Sequence, residues 1–127
     1  MSGRRILHVA IEDDWGMSRL LGQYEVSTRG RSLDDDGYIR TCDVASVQHV
    51  LDERYADLRL PVVVVVLDSD ALAASGVPVD SSDDERSGRR VRGAIESNDP
   101  SIVIGVLPAV RDGDRWLAPT GLSGLEA

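Results

Sequence analysis

Apolar and polar positions change period several times along the chain, and each change predicts an element. Residues 5–11 (Arg-Ile-Leu-His-Val-Ala-Ile) form a short run rich in branched apolar side chains, which predicts a strand. Over 12–22, Trp15, Met17, Leu20 and Leu21 recur at near-helical spacing, with acids at the start and Gly22 at the end, which predicts a helix. Residues 23–27 read as a short strand. The polar, glycine-containing stretch 28–37 reads as a loop, and 38–42 as another short strand. Val44, Val47, Val50, Leu51 and Tyr55 then fall at spacings of three and four. They predict an amphipathic helix over about 44–57, with Asp43 as its N-cap.

Residues 61–68 (Pro-Val-Val-Val-Val-Val-Leu-Asp) give the clearest strand signal. The unbroken valines imply burial on both faces and a central place in the sheet. Asp68-Ser69-Asp70 can cap a short helical turn through Leu72. The charged stretch 76–90 reads as a mobile excursion, with Val77-Pro78-Val79 touching an edge strand. Residues 91–96 read as a strand, 97–100 as a turn and 101–107 as a strand. Residues 111–114 read as the tip of a hairpin and 119–127 as a loose tail. Helices come early and strands dominate after residue 75. That order predicts an α+β fold with small mixed or antiparallel sheets rather than a doubly wound parallel one.

Composition narrows the picture. A chain of 127 residues fits one domain, 1–127, with a core over about 5–118. Cys42 is the single cysteine, so no intrachain disulfide forms. With only His8 and His49 beside it, no zinc spacing exists and no metal is expected. A reducing compartment follows. The apolar run after Arg4-Arg5 is too short for a signal peptide or a membrane span, so a cytoplasmic protein without a membrane partner is expected.

Net charge is −8, from 22 acids and 14 bases, and every base is arginine. Codon bias in a GC-rich bacterial genome accounts for that choice. Without lysine there is no Schiff base and no P-loop lysine. The acidic balance argues against general nucleic-acid binding but leaves room for an arginine pocket that takes one phosphate.

Singly, the candidate residues have ordinary explanations. His8 reads as a hydrogen-bonded packing residue, Trp15 as core, and Tyr24 as core with its hydroxyl at the rim. Gly37 supplies a turn. Cys42 and Arg40 are two apart and share a strand face, yet an inert buried thiol is the expected state, with no sign that His49 is near. Asp34–Asp36 and Asp83–Glu85 lack the spacing of a calcium loop and read as solvated. Residues 88–92 (Gly-Arg-Arg-Val-Arg) form a basic island suited to local salt pairing.

Taken in order, Leu7-His8-Val9, Asp14-Trp15, Gly22-Gln23-Tyr24, Ser32-Leu33 and Asp36-Gly37-Tyr38-Ile39 resemble the bacterial domain-of-unknown-function 952 family. Members carry Tyr-His-Ile, a helical Trp, Gly-x-Tyr, Ser-Leu and Glu-Gly-Phe-Ile-His-Cys-Ser at these places. The resemblance covers about 5–118 and is densest over 6–42. The chain departs from the pattern at Arg40, which stands for the second His, and at Thr41-Cys42, which stand for Cys-Ser. Ser46 stands for a Gln. The late Pro-His-x-Tyr-Gly motif is absent, with Asp99-Pro100-Ser101 as its remnant, and Asp80 is the loose counterpart of an acid.

The resemblance implies a fold similar to the ADP-ribosyltransferase superfamily, closest to its RNA 2′-phosphotransferase branch. It also implies NAD as the cofactor to consider and a small phosphate-containing molecule as the partner. The implied cleft is lined by His8, Tyr24, Ser27, Ser32, Tyr38, Arg40 and Cys42. His8 would hold a ribose, Tyr24 a base and Arg40 a phosphate, and His8 and Arg40 are the catalytic candidates. Arginine stays charged and cannot relay protons as histidine does. The expectation is therefore a divergent binding domain. The alternatives are an active NAD-dependent ADP-ribosyl or 2′-phosphate transferase, and a small biosynthetic enzyme that reuses the cleft.

Overall fold

The computed structural model describes residues 5–81 and 89–122. Its centre is a three-stranded antiparallel sheet in the order β1-β5-β8, built from β1 (Arg5–Ile11), β5 (Val62–Asp68) and β8 (Val103–Pro108). The valine run of β5 is the middle strand and is buried on both faces. Alternation along it divides the core into two layers. Val63, Val65 and Leu67 join Ile6, Ala10, Trp15, Tyr24, Ile39, Leu72 and Val91 on one face. Val62, Val64 and Val66 join Leu7, Val9, Cys42, Val47, Leu51, Tyr55 and Trp116 on the other. A continuous apolar run more often marks a parallel sheet. Here an antiparallel strand carries one because both faces are covered.

The first face is covered by α1 (Glu12–Leu21), by α4 (Ser69–Ala74) and by a second antiparallel sheet, β4-β7-β6. That sheet pairs β4 (Ile39–Arg40) with β7 (Arg89–Val91), and β7 with β6 (Val79–Ser81). The other face is covered by a helical segment over residues 44–55 and by the hairpin β9 (Val110–Asp112) and β10 (Arg115–Leu117). Gln48 fastens the two together, since its amide donates to the Trp116 carbonyl and accepts from the Ala118 N–H. The 44–55 segment changes pitch along its length. It opens as a 3-10 turn (Val44–Ser46) capped by Asp43, continues as α3 (Val47–Val50), and widens to a π turn (Leu51–Tyr55). Val47, Leu51 and Tyr55 stay on its buried stripe.

Several expectations need correction. The stretch 28–37 is not a plain loop. β2 (Val26–Thr28) pairs with β3 (Arg31–Ser32), and α2 (Leu33–Asp36) follows behind a capping box at Ser32. There the Ser32 hydroxyl accepts from the Asp35 N–H while the Asp35 carboxylate accepts from the Ser32 N–H. The short strand expected over 23–27 begins only at Val26, and Tyr24 makes an isolated bridge to Ile95. The expected strand 91–96 is displaced, because β7 ends at Val91. The expected excursion 76–90 contains paired strands at both ends, with 82–88 outside the described residues. The tail is anchored by buried Leu122, with 123–127 likewise outside them. On α1 only Trp15 and Ser18 are buried, while Met17, Leu20 and Leu21 face solvent.

All described pairings are antiparallel, so the molecule is an α+β protein of several small antiparallel sheets and four short α-helices among the described residues. No described helix is long and apolar enough to cross a membrane.

Candidate functional site

β1 is an edge strand of the central sheet, and its free edge is where the chain makes a pocket. Leu7 exchanges both backbone hydrogen bonds with Cys42 across that edge. In an antiparallel ladder, residues two apart direct their N–H and C=O to the same side. Val9 therefore presents its backbone to the same edge, and its C=O accepts from the Tyr55 hydroxyl at 3.0 Å. Its N–H is directed there as well.

The pocket encloses about 140 Å³. Leu7, His8 and Val9 form its floor, and Ser27 and Thr28 of β2 one wall. Arg40, Thr41 and Cys42 form a second wall, and His49, Val50, Glu53 and Arg54 of the helical segment a third. A cavity of this size is close to the roughly 150 Å³ that accommodates benzene in a protein interior. It suits one ring and cannot enclose a dinucleotide.

His8 is fully committed to the protein. Its Nδ1 lies 2.7 Å from the Arg40 carbonyl, which can only accept, so Nδ1 carries a proton and donates. Its Nε2 lies 2.8 Å from the Tyr24 hydroxyl. Desolvation drives the imidazole pKa down to about 4 against the opposing pull of the Arg40 carbonyl, so the ring is neutral at pH 7. Nε2 is then the acceptor and the Tyr24 O–H the donor. The rings of His8 and Tyr24 meet edge-on at 5.1 Å, and Trp15 packs on Tyr24 at 5.0 Å. Tyr24 is buried, and its hydroxyl points at His8 instead of sitting at a rim. Burial raises its pKa well above the ordinary phenol value.

The other candidates separate in space. Ser27 and Cys42 line the pocket with His8 and Arg40. Ser32 does not, and its hydroxyl caps α2. Tyr38 lies on the outer side of β4, beside the guanidinium of Arg40 at 5.4 Å. Arg40 also pairs with the largely buried Asp36 carboxylate, which Arg31 holds from its other side. The Cys42 thiol is pushed up to about 12, first by desolvation and then by Asp43, so it is neutral and unreactive. The Ser27 hydroxyl is wholly buried and makes no hydrogen bond of standard geometry, although it lies near enough to Asp36 to favour the ionised carboxylate.

His49 is the surprise. It lines the same pocket as Cys42 and pairs with Glu53 one turn on, at 2.5 Å. Glu53 and Arg54 project from the π turn. The i, i+4 spacing of His49 on α3 and Glu53 on the π turn was visible in the sequence, but nothing local marked the packing that brings the segment to β1. Among the described residues, no three His, Cys, Asp or Glu side chains gather as a metal site would require.

The fold and the pocket together define a small α+β protein with a ring-sized polar pocket on an open sheet edge. The same fold occurs in the X-ray crystal structure of protein CC0527 from Caulobacter crescentus, with a TM-score of 0.67 over 87% of this chain and 90% of that one, at 14% identity. A double mutant of CC0527 superposes equally well. No family model and no curated protein matches the chain.

Proposed function

We propose that this chain is a ligand-binding domain, not a transferase, and that its pocket takes the ring of a small phosphate-containing molecule of nucleotide type. The likeness of residues 5–118 to the domain-of-unknown-function 952 family and its ADP-ribosyltransferase-like fold supports the ligand class. It makes NAD and ADP-ribose the first molecules to test. The observation that carries the binding reading is the state of His8. Both ring nitrogens are hydrogen-bonded inside the protein and the imidazole is neutral. It can shape the pocket floor but has no free nitrogen with which to take a proton from a substrate. Arg40 keeps its charge and can attract a phosphate but cannot relay a proton. A whole dinucleotide would place only one ring in the enclosed volume and leave the rest outside.

Calorimetry and ligand-observed NMR with NAD, ADP-ribose, nicotinamide and adenosine test the reading. Saturable binding is expected, abolished by Val50→Phe, which fills the pocket from its half-buried helical wall. Absence of binding at millimolar ligand, or binding indifferent to Val50→Phe, would sink the pocket reading. NAD consumption that depends on His8 would replace it with the transferase reading.

A further inference from the structure

We propose that the solvent face of the β4-β7-β6 sheet is a recognition site for a phosphate monoester group, with Arg90 as its principal ligand. The face follows from strand alternation. Ile39 and Val91 are wholly buried and Val79 packs on the same core layer. Arg40 and Arg90 are direct cross-strand partners, as are Asp80 and Arg90, so all three side chains leave by the opposite face. Tyr38 and Arg92 lie two residues from Arg40 and Arg90 and join them there. The Tyr38 ring gathers the three guanidiniums, with Arg90 at 4.8 Å, Arg40 at 5.4 Å and Arg92 at 5.6 Å from its centroid.

Charge identifies the guest. Arg92 is paired with Asp80 at 2.7 Å, and Arg40 and Arg31 share Asp36. The Arg90 side chain makes no salt bridge or hydrogen bond among the described residues, since its cross-strand neighbour Asp80 is engaged by Arg92, and its contact is the tyrosine ring. Counting Asp35, whose charge also acts on Arg31, four guanidiniums face three carboxylates, so the patch is net positive on a chain whose net charge is −8. A phosphate monoester near pH 7 carries about two negative charges. Guanidinium forks match its oxygens bidentately. Tyr38, Arg90 and Arg92 do not line the pocket, and Arg40 is the residue the two sites share, so Arg90 and Arg92 are the reporters that separate them.

The test follows the arginine Nε–H resonances of the full chain during titration with inorganic phosphate and, separately, acetate. Saturable shifts confined to Arg40, Arg90 and Arg92, with acetate much weaker, are expected. Arg90→Gln should weaken phosphate binding roughly 10- to 100-fold, as loss of a charge-assisted hydrogen bond does. It should also abolish the rise in Tm that phosphate gives the parent protein. If Arg90→Gln fails to fold, Arg92→Gln and Tyr38→Leu take its place, each expected to weaken binding. Shifts spread equally over Arg19, Arg111 and Arg115 would overturn the proposal. So would full affinity in Arg90→Lys, which keeps the charge and loses the fork. Failure of ring binding in the pocket, with phosphate still bound here, would count against the pocket alone.

Discussion

Of the chain's two histidines, His8 is spent on structure and His49 stands at a pocket mouth, and the backbone decides which is which. β1 turns the His8 ring inward with Ile6 and Ala10, where the Arg40 carbonyl and the Tyr24 hydroxyl take up its two nitrogens. The arrangement makes a residue-scale prediction. His8→Phe keeps a ring of similar shape but strands a buried carbonyl and a buried hydroxyl. It should cost about 2–5 kcal/mol of unfolding free energy, measured by urea titration. Tyr24→Phe strands only the Nε2 acceptor and should cost less, about 1–3 kcal/mol. If both variants unfold at the parent midpoint, the hydrogen bonds do not carry the stability assigned to them. Cys42 belongs to the same account. Its thiol, held up at about 12, should resist alkylation at pH 8 until the protein unfolds.

At the scale of elements, two helical stretches with similar apolar spacing have opposite roles. Leu51 on the 44–55 segment is wholly buried, whereas Leu20 on α1 is 82% exposed. Leu51→Ala should therefore cost about 2–5 kcal/mol, as a cavity in a packed core does. Leu20→Glu should stay within about 0.5 kcal/mol of the parent. Chemical denaturation of the two variants side by side checks the contrast, and equal losses would contradict the burial. Ser32→Ala should cost about 1 kcal/mol through loss of the α2 cap.

The same contrast shows what was legible in the sequence. β1, the valine strand β5, the Asp43 and Asp68 caps, and Gly22 at the end of α1 are set by neighbours in the chain, and all were readable. The face of α1 that is buried and the β6-β7 pairing depend on what packs against them, and propensity alone passed over them. The Ser32–Asp35 capping box is set locally and its spacing was readable, but the acidic, glycine-containing composition of 28–37 points to a loop instead. For the site, the sequence brought His8, Ser27, Arg40 and Cys42 to one pocket. It could not foresee His49 on α3, or Glu53 and Arg54 on the π turn, because the seating of that segment beside β1 is set by packing and not by neighbours in the chain. Nor could it foresee that Tyr38 serves an arginine cluster.

For the whole molecule, pH reports on the core more directly than any single contact. His8 binds its proton with a pKa near 6.5 in the unfolded chain and about 4 in the fold. The unfolded state therefore holds more protons between those values, and stability must fall as pH drops through that window. Above pH 6.5 the contribution is fully present, and below about 4 both states are protonated and it is gone. The whole leg amounts to about 3 kcal/mol, a sizeable part of the roughly 5–15 kcal/mol typical of a domain. Below it, the loss passes to Asp35, Asp57 and Asp99. Hydrogen bonds from Ser32, Arg29 and Ser101 respectively lead in holding these carboxyls below their usual range, so their stabilisation disappears as they protonate. Asp14 acts in the opposite sense, since burial and then Asp13 raise its pKa. Urea midpoints measured from pH 8 to pH 3 should thus fall in two legs, the upper one centred between 6.5 and 4. In His8→Phe the upper leg should vanish while the lower one remains. A variant that keeps the upper leg would show that His8 is not the group whose burial makes this fold sensitive to mild acid.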